Sequence, residues 1–227
     1  MWKLKVPTDG DREAIKQRLD EDLGDSAIPL VQAYFDGDRG FAGTTFDLLD
    51  GGGEATPRIT VGDLLAVSLL NTPYPARAVR DLLGGTGEQL AVSLAAIPAG
   101  LPLADADEAI LQQADEAWSQ LMALNNVGRT RVSKLLARKR PHLIPITDSI
   151  VDERLSPQQS PLSVDLWSAL RDQLQDGLSD DLASIRRDAG VPEQISLLRV
   201  LDVAIWMRHG NSSRAELVRK ELNLAAC

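Results

Sequence analysis

Residues 129–140, Arg-Thr-Arg-Val-Ser-Lys-Leu-Leu-Ala-Arg-Lys-Arg, hold six bases and no acid. Closely spaced guanidinium and ammonium groups are the chemistry that meets phosphate. Just before them, Asn125-Asn126-Val127-Gly128 reads as a tight turn, because Asn and Gly tolerate left-handed backbone. A long helix enters this turn and a basic helix leaves it. The first amides of the leaving helix lack intrahelical acceptors and lie at the positive end of its dipole, so an anion can bind there. The candidate phosphate contacts are Asn126, Gly128, Arg129, Thr130, Arg131 and Lys134. A plainer reading is also open, since bases favour the C-terminal half of any helix and Asn-x-Gly turns join ordinary helix pairs.

The second chemical feature is a carboxylate. Asp148 follows Thr130 by 18 residues, in the run Pro145-Ile146-Thr147-Asp148-Ser149. An Asp at that place is a good helix N-cap, a duty Thr147 could share. It could also stabilise a developing positive charge on a sugar and direct water to it.

Taken together, Val127-Gly128-Arg129-Thr130 and Pro145-Ile146-Thr147-Asp148-Ser149 resemble the helix-hairpin-helix DNA glycosylases of the endonuclease III superfamily, over about thirty residues. That family carries a Leu-Pro-Gly-Val-Gly hairpin, then a helix, then a Val-Asp-Thr whose Asp is catalytic. The resemblance implies that Gly128 is the second hairpin glycine and that Asn126 stands at the first. Asn125 replaces the Pro, and Asp148 takes the catalytic place. Thr130 occupies the position of the lyase Lys, so no Schiff base can form there and the implied activity is monofunctional N-glycoside hydrolysis. The cysteine cluster of the iron–sulfur members is absent, because the only Cys is Cys227. Lys134, one helical turn later, is not promoted to the missing nucleophile.

Over nearly its whole length the chain also resembles an actinobacterial family of unknown function. The blocks that carry this are Tyr34-Phe35-Asp36 with Phe46-Asp47, Asp63 to Leu70, Lys134 to Pro141 and Ser196 to Asp202. This resemblance implies no activity.

A glycosylase needs walls that stack a flipped base. With four Trp, two Tyr and three Phe in the chain, most aromatics are expected in the core. The candidate walls are Tyr34, Phe35, Tyr74, Trp118, Trp167 and Trp206, with Trp118 foremost because it lies on the helix that feeds the hairpin. Asp202 joins them as a polar group in the otherwise apolar run Leu197 to Met207, although Arg199, three residues earlier, offers an ordinary ion pair. Asp36-Gly37-Asp38-Arg39-Gly40 lacks the acid spacing and final Glu of a calcium loop. Gly84-Gly85-Thr86-Gly87 reads as a helix stop, and His209 as a helix C-terminal charge. No metal site and no cofactor is expected.

The elements that must position these residues are helical. Apolar spacing follows the period of a helix almost throughout. It predicts helices from Asp9 to about Leu23, over Ala27–Phe35, Leu64–Leu70, Ala76–Leu83, Glu88–Ile97 and Asp105–Leu124. Beyond the turn, it predicts helices near 129–139, 148–155, 163–176, 179–189, 195–209 and 213–224. Residues 36–53 are the most loop-like stretch, yet Phe41, Phe46, Leu48 and Leu49 should pack it onto the body. A short strand near Leu143–Ile146 stays open. The expected architecture is a compact all-α bundle of about ten helices containing a helix-hairpin-helix, glycosylase-like in fold. It is read as a single unit over 1–227, with segments 1–104, 105–155 and 156–227.

Composition bounds the function. The net charge of −9 speaks against a protein that coats nucleic acid. Setting aside the basic dozen leaves 18 bases against 33 acids, a net −15, so any phosphate contact should be local. No apolar run is long enough to cross a membrane, and no secretory leader is evident, so a cytoplasmic protein is expected. The leading expectation is DNA contact through the basic hairpin, with Asp148 catalytic in its sharper form. Alternatives are a non-catalytic binding or interaction protein on the same scaffold, or an enzyme acting on a small nucleoside or another metabolite.

Overall fold

Local capping signals set many of the helix ends. The structure, a computed structural model, describes residues 8–155 and 163–224. Among these residues it contains twelve α-helices and no strand, so Leu143–Ile146 runs as turn and coil. Helix α1 (Asp9–Asp22) opens on a capping box between Thr8 and Asp11, and α3 (Val61–Leu69) on one between Thr60 and Asp63. The Asp107 side chain caps α6 (Glu108–Met122), and Ser196 caps α11 (Leu197–His209). Pro75 directly precedes α4 (Ala76–Leu82). The others are α2 (Ala27–Phe35), α5 (Gly85–Ala95), α7 (Arg129–Lys139), α8 (Ser149–Leu155), α9 (Ser163–Gln173), α10 (Ser179–Asp188) and α12 (Ser213–Glu221).

Several boundaries differ from the periodicity reading, α3 among them, which starts at Val61 instead of Leu64. Helix α5 starts at Gly85, inside the expected glycine stop, because Gly87 lies against the end of α4. A Cβ there would meet the Leu82 carbonyl oxygen at 1.8 Å. Helix α6 starts at Glu108, after a 3₁₀ turn over Leu103–Asp105. After α9 the chain makes a π-turn over Leu174–Leu178, where Gly177 takes φ 111°.

The chain forms two compact units. One comprises Met1–Phe41 and Ser149–Cys227, the other Ala42–Asp148. In the first unit α11 is the central helix, packed by α2, α8, α10 and α12. Leu198 to Ile205 are all buried, as a helix apolar on every side must be. In the second unit α7 takes the same central place, between α3 and α6. The expected packing of the glycine-rich stretch is present for Phe41 and Phe46, which are buried, while Leu48 is exposed.

Candidate functional site

Helix α6 is amphipathic, with Leu111, Ala114, Ala117, Trp118 and Leu121 on its buried side. It unwinds after Met122. Val127 then donates its N–H to the Leu124 carbonyl, and the buried Val127 side chain anchors the turn. Asn126 takes φ 60°, the left-handed conformation expected of it. Gly128 does not, since its φ of −102° is open to any residue. What the glycine leaves is space, because a Cβ there meets nothing within 4 Å. Gly128 is the N-cap of α7, and no side chain caps the helix. Asn125, Asn126 and Gly128 are exposed, while Arg129, Thr130 and Arg131 are half-buried.

The bases after this turn face inward. Lys134, Arg138, Lys139 and Arg140 are all buried, with Lys139 at 0% exposure. Lys134 Nζ donates to the Leu70 carbonyl (3.1 Å) and to Thr72 Oγ1 (2.9 Å), which corrects the expectation that it faces a phosphate. The Arg138 guanidinium meets the carbonyls of Phe46 and Asp47 at 2.6 Å each and that of Leu49, and its Nε lies 3.2 Å from Asp63 Oδ1. Lys139 Nζ donates to Asp63 Oδ2 (2.9 Å) and to the Arg58 carbonyl (2.8 Å). Arg140 donates to the carbonyls of Ile97 (3.0 Å), Leu94 and Lys139. Burial pushes the Lys139 ammonium and the Arg140 guanidinium below their ordinary values, against the opposing pull of Asp63 on Lys139 and of Glu54 on Arg140.

Asp63 was legible as a helix cap, but its second duty was not. It is a buried counter-ion to two cations while still accepting from the Thr60 amide (3.0 Å). Gly53 belongs to the same arrangement, since a Cβ there would lie 2.2 Å from the Arg138 carbonyl oxygen.

A clamp joins α7 to the segment that carries Asp148. Ser133 Oγ lies 3.0 Å from the Thr147 carbonyl and accepts from the Thr147 amide at 3.1 Å. Ser133 is fully buried, and Thr147 is 3% exposed. The next residue, Asp148, is half-buried. Sequence reading missed Ser133. Its only signal was a hydroxyl in the middle of a helix, between Val132 and Leu135, where such a group needs a partner.

The candidate walls separate. Trp118 is buried in the unit of α7, while Tyr34, Asp202 and Trp206 belong to the unit of α11. Those three do assemble. Arg199 forms the ion pair with Asp202 and donates to Tyr34 Oη at 2.7 Å. Trp206 lies edge-on to Tyr34 and to Phe41, with centroids 6.0 and 6.2 Å away. A cavity of about 460 Å³ in this unit is lined by Phe35, Arg39 and Val218 among others, so of the candidate walls Phe35 alone lines it.

The same unit holds a charged cluster that sequence reading did not find. Asp22, 0% exposed, accepts from Arg154 Nε (3.0 Å) and Nη2 (3.2 Å), and lies 2.7 Å from His209 Nε2 and 3.6 Å from Arg208 Nε. Burial alone would raise its pKa, but the hydrogen bonds from His209 and Arg154 outweigh burial and hold it below the ordinary value. An Asp at the negative C-terminal end of a helix was the available signal, because it is disfavoured there without cations beside it. Among the described residues no group of three His, Cys, Asp or Glu side chains could hold a metal ion. No described helix is long and apolar enough to cross a membrane.

Residues 27–209 match the family of unknown function DUF6308. The chain belongs to that family. No curated protein and no solved structure matches it. The family match runs from the first residue of α2 to the last of α11, so it contains Asp63, the α6–α7 turn and the Ser133 clamp. Asp22 lies before it, although its partners Arg154, Arg208 and His209 lie within it.

Proposed function

We propose that this family member contacts nucleic-acid phosphate through the α6–α7 turn, as a helix-hairpin-helix does, and that Asp148 is the carboxylate for N-glycosidic chemistry beside it. The observation that carries this reading is the Ser133–Thr147 clamp, which ties the Asp148 segment to the helix leaving the turn. Three features support it. The α7 N-terminus has no side-chain cap, the Gly128 Cβ position is open, and Arg129 stands beside the uncapped amides.

In this reading the Gly128–Thr130 amides hold one phosphate oxygen and Arg129 neutralises it. Asp148 stabilises positive charge as the sugar–base bond breaks and orients the attacking water. Thr130 supplies no amine, so the reaction ends at base release without strand cleavage.

The inward turn of four bases favours a second reading. A contact this small suits a nucleoside phosphate as well as a duplex. Anisotropy titrations of duplex DNA and of a labelled nucleoside monophosphate separate the two. Duplex binding that weakens with salt, and weakens further in Arg129→Ala, supports the first. Arg129 is the residue of choice because it is the first residue of α7, directly after the Gly128 N-cap. A panel of damaged-base duplexes, with Asp148→Asn as control, tests the chemistry. Equal base release by that variant removes Asp148 from its role.

A further inference from the structure

The bases that face inward at the start of α7 do something specific there. They fasten a second turn beside the first. Lys134 holds the Leu70 carbonyl and Thr72 Oγ1, Arg131 Nε holds the Pro73 carbonyl, and Tyr74 Oη donates to the Arg131 carbonyl at 2.8 Å. Four hydrogen bonds therefore fix residues 70–74 against the first two turns of α7. Tyr74 is buried, and burial pushes its hydroxyl far above the ordinary value, so it stays a donor. Within the fastened turn, Asn71 takes φ 56°, and Asn71 and Pro73 are exposed.

Helix α4 leaves this turn directly. Ala78 and Leu82 face the core, which puts Arg77, Arg80 and Asp81 on the outward side of the helix. Arg77 and Arg80 are exposed. Arg80 makes no ion pair among the described residues, and Arg77 meets only Asp81, at 4.0 Å, an exposed contact of little worth. Three residues of chain span at most about 10 Å, so the Arg77 Cα lies within that distance of the Cα of Tyr74, whose hydroxyl reaches α7. The fastened turn thus leads straight into the helix that carries the two arginines.

We infer that Arg77 and Arg80 of α4 form a second phosphate-contact patch beside the α6–α7 turn, so that nucleic acid lies across both. The inference rests on the proposed phosphate contact and adds a surface that the 129–140 run did not contain. Lys134 and Arg131 then act as positioning residues, and Arg129, Arg77 and Arg80 as the cations that meet phosphate.

The experiment measures binding of a 20-base-pair duplex to the full chain between 50 and 200 mM salt. Five proteins are compared: wild type, Arg129→Ala, the Arg77→Ala/Arg80→Ala double variant, the matching double lysine variant and Arg58→Ala. Each cation that meets a phosphate contributes about −0.9 to the slope of log K against log salt. The expected result is a slope shallower by about 0.9 in Arg129→Ala and by about 0.9 to 1.8 in the double alanine variant. The lysine variant should keep the wild-type slope, and so should Arg58→Ala, whose guanidinium pairs with Glu88.

A double alanine variant with the wild-type slope, beside a weakened Arg129→Ala, overturns the second patch and leaves the first contact standing. An equal loss in Arg58→Ala also overturns it, because the effect is then one of overall charge. A wild type with no salt-dependent binding overturns the phosphate reading itself. Thermal melts of each variant confirm that the alanine proteins are folded.

Discussion

Two buried helices, α7 and α11, hold the centres of their units, and they are built from opposite materials. Helix α11 is apolar on nearly all sides, and its one buried acid is paired with Arg199 on the same helix. Helix α7 is basic, yet every residue from Val132 to Arg140 is buried. Carbonyl oxygens from residues 46, 47, 49, 58, 70, 94 and 97 replace water around its cations, with Asp63 as counter-ion. The polarity of a helix does not fix its burial. A loop that offers unpaired carbonyls can solvate a cation. In exchange the cation orders the loop, and this is how the turns at residues 46–48 and 70–74 are held without an α-helix.

The largest expected effect tests that exchange. Asp63→Ala should cost about 3–5 kcal/mol in denaturant unfolding, because it strands two buried cations. A loss under about 1 kcal/mol would mean that carbonyls alone suffice, and the contrast with α11 would widen. On the apolar side, Leu201→Ala should cost about 2–5 kcal/mol, the ordinary result of a core cavity. If Leu201→Ala proves nearly neutral, α11 is not the packing centre of its unit.

Smaller effects sharpen the picture. Ser133→Ala should cost about 1–3 kcal/mol, since it leaves the buried Thr147 amide without its acceptor. Hydrogen exchange at Thr147 should rise more than at Val132. Equal protection in variant and wild type would show that the Asp148 segment does not depend on α7.

Asp22, at the end of α1, meets Arg208 and His209 in the last turn of α11, and its folded pKa lies below 3.8. The stability it supplies is therefore complete above the unfolded value and is lost as pH falls through the lower folded value. Asp22→Asn should be less stable at neutral pH and should show a flatter acid limb below about pH 4. An unchanged acid limb would remove Asp22 as its source.

A helix end was legible at Thr8, where cap and partner lie within one turn directly before the expected start at Asp9, but not at Asp107, where the start was expected at Asp105. The left-handed Asn126 was legible for the same reason, since a turn is a local object. The Arg199–Asp202 pair was legible because its partners share one helix face. By contrast, the role of the basic run was not. A charge reads as exposed until the groups that solvate it are known, and those of Arg138 come from residues about ninety positions earlier. Asp22 and Ser133 escaped notice because their partners are likewise distant in the chain.

The sequence by itself determined that this protein is helical, where its helices begin and end to within a few residues, and where one tight turn interrupts them. These depend on periodicity and on bonds between near neighbours. Tertiary structure alone decided which bases remain at the surface. It also decided that Asp63 is a counter-ion and that Ser133 ties Thr147 to α7. Those outcomes depend on which carbonyls and carboxylates the fold brings to each cation and hydroxyl, and no local pattern carries that information.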